Sequence, residues 1–247
     1  MLCLGGVYAW SLFVPGLIRD YGFSAARTQL VFGLMIAVFP ATMLWVGRMQ
    51  DRLEPRFAVL IAAALFSIGY VLSGLSGGNF FLVLIGIGIL AGMGTGFGYL
   101  TSLTVPVRLM PSRKGLLTGI AAGGFGLAAV VLTFIVEMLL QRGWSVLQVF
   151  LWIGLVYGSL VGVLGFLIQT PPVPREPRLP VRFAELRTSP VFRLLTAGIF
   201  CGTFAGLLVI GNLKTIGALQ ALPITPLCLE YPCLPFQTLR DAWSGDF

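Results

Sequence analysis

Gly47-Arg48-Met49-Gln50-Asp51-Arg52-Leu53-Glu54-Pro55-Arg56 packs three arginines and two carboxylates into ten residues, in a chain where only 10% of residues are charged. Long apolar runs lie on both sides, at about 29–46 and 57–75. One charge at the centre of a bilayer costs about 3 kcal/mol or more. The stretch is therefore expected in water, as a hinge between two buried helices.

Composition agrees with that reading. Of 247 residues 57% are hydrophobic, the mean hydropathy is +0.95, and there are 19 Phe, 32 Gly and no His. A soluble domain of this length has no interior large enough for so much apolar surface, so the fold class is an all-α, polytopic membrane bundle. The net charge of +7 does not point to nucleic acid, because the basic residues fall in short connections between apolar runs. Cys3 and Cys201 lie within apolar runs and read as small buried hydrophobes, while Cys228 and Cys233 lie in the tail. With no His and no CxxC, the sequence carries no metal-ligand pattern and no redox motif.

Runs of bilayer-spanning length occur at about 1–18, 29–46, 57–75, 80–103, 116–140, 147–168 and 193–216. This predicts seven helices. The first is short, reaching roughly 27 Å at about 1.5 Å per residue, and its N-terminal part is expected to be missing. A cleaved signal peptide would need a basic n-region and a small-x-small site, and neither is present.

Eleven Lys or Arg residues occupy the connections 47–56, 104–115 and 169–193, against three (Arg19, Arg27, Arg142) in the alternate ones. The positive-inside rule puts the first set in the cytoplasm. The N-terminus is then inside and the tail outside, in the plasma (inner) membrane. An N-out seven-helix receptor contradicts this bias.

The expected organisation is a six-helix block at 1–168, a cytoplasmic linker at 169–192, a seventh helix at 193–216 and a non-membrane tail at 217–247. Residues 169–190 hold six prolines and four arginines, which favours an extended, solvated connection. Such a layout suits a transporter made of two six-helix halves. From Pro223 the tail has four prolines in thirteen residues and no apolar run above three, which reads as the aberrant end of a truncated or frame-shifted product.

Gly47, Asp51, Arg52 and Arg56 stand in the register of a loop signature: glycine, Asp-Arg four residues on, then a further basic residue. Gly6-Val7-Tyr8-Ala9-Trp10-Ser11-Leu12-Phe13, Tyr21-Gly22-Phe23-Ser24, Pro111-Ser112-Arg113-Lys114-Gly115-Leu116, Gly119 to Gly126 and Leu186-Arg187-Thr188 follow in a specific order. Across roughly residues 5–222 the chain resembles the oxalate/formate antiporter family of the major facilitator superfamily. The fold implied is the six-helix N-terminal half of a major facilitator fold plus a seventh helix. Glu54 departs from the pattern, which usually has glycine there.

The resemblance implies a secondary transporter of small organic anions working by alternating access. Gly47, Asp51, Arg52 and Arg56 would form a conformational lock, and Arg113 with Lys114 a cytoplasmic loop. Aromatic residues of the first, fourth and fifth helices would enclose a small dicarboxylate. Tyr8 and Tyr99 match those positions, and Phe125 stands where the oxalate carrier has a tyrosine. Trp10, close to Tyr8, is a further substrate-binding candidate. Phenolic hydroxyls can donate to a carboxylate without burial of a full charge. Each aromatic also suits an interfacial belt or plain packing.

In the resembled family the cations that neutralise substrate come from the second half. The chain alone is therefore expected not to transport. The other reading is a non-transporting membrane fragment, or an interaction subunit needing a partner half.

Gly88, Gly92 and Gly96 recur every four residues, as do Gly115, Gly119 and Gly123, so each set lines one helical face. Glu137, near the outer end of its helix, reads as interfacial. No catalytic triad, HExxH or phosphate-cradling loop occurs. The expected protein is no enzyme and has no cofactor; its partners are a small carboxylate, the lipid bilayer and a second transporter half.

Overall fold

The computed structural model describes residues 1–49, 53–168 and 189–219, with side chains up to Leu208. Gln50, Asp51, Arg52, the linker residues 169–188 and the tail from 220 lie outside the described residues. The expectations placed on Asp51, Arg52, the linker and the tail therefore have no structural counterpart here.

The described chain is helical almost throughout. A 3-10 segment, Gly5–Leu12, leads into α1 (Val14–Tyr21), followed by α2 (Ala25–Met49) and α3 (Pro55–Gly74). Next, α4 (Phe80–Leu109) carries π-helical winding at Leu84–Ala91. A short turn at Pro111–Arg113 opens α5 (Lys114–Gln141), and α6 (Val146–Leu167) and α7 (Pro190–Leu219) complete the order. Six helices among the described residues are long and apolar enough to cross a membrane by length and composition: α2 to α6, and α7 from Pro190 to Leu208. Those lengths, the apolar composition and the all-helical architecture make this an integral membrane bundle.

The first run departs from expectation, since it is not one continuous α-helix. Gly5 and Gly6 weaken α-helical winding and lie close against α5. A Cβ on Gly5 would collide with the Phe125 carbonyl and Ala128, and one on Gly6 would stand 2.9 Å from Leu132 Cδ2. The 3-10 winding rises about 2.0 Å per residue against about 1.5 Å in an α-helix, which extends the reach of a short segment. It threads the bundle as its core: Leu4, Val7, Ala9, Trp10, Phe13 and Leu17 are all buried.

Elsewhere the helix ends depart from the apolar runs that announced them. α2 begins where Ser24 Oγ accepts a hydrogen bond from the Arg27 amide (3.2 Å), and it ends past Gly47 at Met49. Its charged ends, Arg27 and Arg48, are exposed. α6 opens with a capping box in which Ser145 and Gln148 satisfy each other's backbone amides at 3.3 and 2.9 Å.

Glycine faces set the helix spacing. α4 is wedged between α2 and α3, with Gly88, Gly92 and Gly96 against Leu34, Met35, Val38, Phe39 and Thr42 of α2. Its opposite face meets α3, where a Cβ on Gly94 would stand 2.6 Å from the Phe66 amide nitrogen and one on Gly69 2.7 Å from the Ala91 nitrogen. Backbones approach this closely only where side chains vanish. α3 then packs along α6, where Ser67 donates to the Gly154 carbonyl at 2.8 Å. Gly115, Gly119 and Gly123 of α5, spaced alike, have nothing within 4 Å of an added Cβ.

α7 stands at the periphery. It packs against the Gly5–Leu12 segment, and its Phe204, Leu207 and Leu208 line a groove with Gln29, Phe32, Gly33 and Ile36 of α2. Its position corrects one expectation: Cys3 is buried, whereas Cys201 on α7 is exposed.

Candidate functional site

Three helices and the 3-10 segment bring four aromatic rings to one place. Phe125 of α5 is the hub. Its ring lies edge-on to Tyr8 (5.5 Å between centroids, 80°) and to Tyr99 of α4 (4.9 Å, 78°), and nearly parallel to Phe39 of α2 (6.3 Å, 13°). Phe39 closes the group by standing edge-on to Tyr99 at 5.4 Å. These are the offset and T-shaped arrangements that ring quadrupoles favour. Phe125 is buried, while Tyr8, Phe39 and Tyr99 are half-buried.

The cluster lies about three helical turns in from one set of helix ends. Phe125 is 11 residues beyond Lys114, Tyr99 is 10 before Leu109 and Phe39 is 10 before Met49. Each is thus roughly 15 Å, half a hydrocarbon core, from the helix end on that side. Substrate sites of secondary transporters occupy this depth.

Trp10 is not with them. Its ring stacks on Phe150 of α6 (6.4 Å, 7°) and meets Phe13 edge-on (6.3 Å, 62°), in a second aromatic group that continues to Tyr70 and Phe66. Its indole N–H is buried without a hydrogen-bond partner among the described residues. Residues two apart on a helix do not share a face. Tyr8 therefore turns toward α5 while Trp10 turns toward α6.

The charged connections keep to the helix ends. Arg113 and Lys114 are exposed at the start of α5, where the Arg113 amide donates to the Met110 carbonyl at 3.0 Å. Of the expected lock, Gly47 and Arg56 are described. A Cβ on Gly47 would meet Leu100 Cδ2 at 3.7 Å, an ordinary contact, so close helix approach does not demand glycine there. Arg56 lies over the Phe166 ring at 5.4 Å, tying the start of α3 to the end of α6. Glu54, the departure from the loop pattern, is the exposed N-cap of α3, with Pro55 at the first helical position.

At the opposite ends, Arg27 stands over Phe80 at 5.4 Å, and Arg19 Nε donates to the neighbouring Asp20 at 2.7 Å. That hydrogen bond holds the Asp20 carboxyl below the usual carboxylate range. Glu137 is half-buried four residues before the end of α5. Among the described residues, no group of three or more His, Cys, Asp or Glu side chains could hold a metal ion.

The profile of the Major Facilitator Superfamily matches residues 1–227. The chain belongs to the Major Facilitator Superfamily. Among Major Facilitator relatives, the oxalate:formate antiporter of Oxalobacter formigenes is 27% identical over 219 residues, which is 86% of this chain and 52% of that protein. The uncharacterized MFS-type transporter YhjX of Escherichia coli (strain K12) is 30% identical over 138 residues, 56% of this chain and 34% of its own length. Human monocarboxylate transporter 11 is 28% identical over 144 residues, 58% of this chain and 30% of its own length. The chain thus spans about half the length, or less, of these Major Facilitator relatives. They are transporters, and the chain's family is one of transporters rather than enzymes.

Phe39 was not singled out by the sequence. No spacing within α2 distinguishes it from its apolar neighbours, and only the pairing of α2 with α4 reveals it. The candidate residues Tyr8, Tyr99 and Phe125 are brought together; Trp10 is held apart.

Proposed function

We propose that this Major Facilitator chain forms one wall of a carrier for small organic anions, oxalate- or formate-like carboxylates, that works by alternating access. One observation carries the reading: Tyr8, Tyr99 and Phe125 converge from three separate parts of the bundle, well inside the helix ends. Two phenolic hydroxyls there can donate to a carboxylate where a buried cation would be costly. Two of the relatives, an oxalate:formate antiporter and a monocarboxylate transporter, support the same chemical class.

In this reading 1–168 is one transporter half, 169–192 a cytoplasmic linker, 193–216 a seventh helix and 217–247 an external tail. The N-terminus is cytoplasmic and the membrane is the inner one. A facing half completes the cavity, and the two rock about the mid-depth site. Gly47, Asp51, Arg52 and Arg56 act at the cytoplasmic side as the lock between states, with Arg113 and Lys114 on the same surface. Trp10 supports the wall from behind through Phe150.

A second reading, an interaction subunit that does not itself move substrate, draws on the bare glycine face of α5. Co-expression with the C-terminal half of the oxalate:formate antiporter separates the two. The carrier reading expects exchange of labelled oxalate or formate in liposomes, reduced at least tenfold by Tyr8→Phe with Tyr99→Phe. Assembly of the two parts without exchange favours the subunit reading.

A further inference from the structure

α4 is not wound evenly. Over Leu84–Ala91 it is π-helical, and the Gly92 amide donates to the Ile87 carbonyl, five residues back, where an α-helix would close on the fourth. Such a turn stores one residue more than an α turn. Gly86 and Gly94, on either side of it, both lie against α3. A Cβ on Gly86 would collide with Ser73 Oγ and stand 2.5 Å from the Gly69 carbonyl, and one on Gly94 would stand 2.6 Å from the Phe66 amide nitrogen. In an unbroken α-helix residues seven apart share a face to within about 20°, whereas residues eight apart differ by about 80°. Gly86 and Gly94 are eight apart. They share α3 because the stored residue takes up the difference.

The widened turn is seated on Gly69 of α3. A Cβ there would collide with the Gly86 carbonyl and stand 2.7 Å from the Ala91 nitrogen, so the α3 backbone lies directly against the π winding. Ser73 Oγ donates to the Gly69 carbonyl at 2.9 Å in the same buried contact. From Gly92 onward the winding is α-helical, and Tyr99 lies five residues past Gly94, about 140° round the helix from the α3 face. That direction brings its ring to Phe125, 4.9 Å away. Were the same residues wound as α-helix throughout, with Gly86 in place, Gly94 would leave α3 and Tyr99 would turn from Phe125 by about 80°.

Resting on the anion site proposed above, we infer that the π turn positions Tyr99 in that site and that Gly69 is the positioning residue that seats the turn. Both act on the site through the phase of α4.

Cross-linking of the full 247-residue chain in detergent tests this without any carboxylate. Cys3, Cys201, Cys228 and Cys233 are replaced, Tyr99→Cys and Phe125→Cys are introduced, and the pair is joined with a short bifunctional thiol reagent. Deletion of Ile89 removes the stored residue and leaves Gly86 and Gly94 seven apart, so that plain α winding keeps both on α3. This chain should cross-link as readily as its parent. An alanine inserted after Ile89 stores a second residue and should lower the yield several-fold. Gly69→Ala should lower it as well, because the methyl displaces the turn. Gly158→Ala controls for lost stability: its Cβ would stand 2.5 Å from Ser67 Cβ between α3 and α6, so it should lower the melting midpoint and leave the yield unchanged. Loss of the cross-link on deletion of Ile89, or a yield unmoved by the insertion, overturns the positioning role of the π turn. A yield for Gly69→Ala no lower than that for Gly158→Ala overturns the role of Gly69. Each of these failures leaves the anion site standing, whereas an intact cross-linking pattern with no exchange in the co-expressed pair overturns the carrier reading alone.

Discussion

Two glycine rows with the same spacing meet opposite fates in this bundle. Gly88, Gly92 and Gly96 of α4 are pressed against α2: a methyl group on Gly96 would stand 2.8 Å from the Phe39 carbonyl, and one on Gly88 or Gly92 would lie tightly, at 3.0 Å from Leu34 Cδ2 and 3.3 Å from the Met35 carbonyl. Gly115, Gly119 and Gly123 of α5 look into open space. A four-residue repeat establishes that small residues share a helical face. Whether that face has a partner depends on the neighbouring helix, which the repeat does not encode. The first row is a built contact that carries Phe39 into the aromatic cluster; the second is a face bare of neighbours among the described residues.

Substitutions can break or sharpen that contrast. Gly96→Leu should have the largest effect. Four extra carbons forced against the Phe39 carbonyl and Thr42 cost about 3 kcal/mol. A denaturant titration in detergent, followed by tryptophan fluorescence, should show that loss, and a change below about 0.5 kcal/mol would mean that α2 and α4 are not in contact there. Ser145→Ala should cost about 1 kcal/mol in the same titration, because it removes a capping box from α6. This intermediate value calibrates the scale.

Gly119→Leu should leave stability within about 0.5 kcal/mol. The same change should nonetheless lower exchange in the co-expressed pair if the α5 face meets a second half. Unchanged exchange would return that face to lipid. The smallest effect belongs to Asp20. Its carboxyl is held low by Arg19, so any stabilisation is present above the unfolded pKa and is lost as pH falls through the folded value. The pair is exposed, and Asp20→Asn should not move the midpoint measurably at pH 7. A clear fall would reveal a partner for Asp20 beyond Arg19.

Much of the architecture was legible in the sequence for a simple reason: hydrocarbon forces backbone bonds inside helices and drives charges to their ends. Arg48 in the last turn of α2 and Arg56 in the first turn of α3 stand at such ends, and α2, α3, α5 and α6 lie where the apolar runs put them. Their ends were not legible, because capped residues such as Ser24 and Ser145 are polar and extend a helix beyond its apolar run. The 3-10 winding at Gly5–Leu12 was not legible either, since it depends on how closely α5 lies against Gly5 and Gly6.

The site was readable only in part. Tyr8, Tyr99 and Phe125 came from a family likeness, and they do meet in the structure. The separation of Trp10 from Tyr8 follows from helical geometry alone, and the two-residue spacing could have signalled it. Phe39 could not have been found, because its place depends on a contact between α2 and α4 more than fifty residues apart in sequence. Asp51 and Arg52, proposed as part of a lock on their spacing, lie outside the described residues.

The central claim is that the ring cluster faces a water-accessible substrate path rather than sealed packing. The most direct measurement replaces Cys3, Cys201, Cys228 and Cys233, introduces Phe39→Cys, which leaves the Tyr8 and Tyr99 hydroxyls in place, and follows its reaction with a charged thiol reagent with and without small carboxylates. The account predicts that Cys at position 39 reacts from water, and that formate or oxalate slows the reaction several-fold while chloride at equal ionic strength does not. A position 39 that stays unreactive, or reacts at the same rate whatever carboxylate is present, would contradict it.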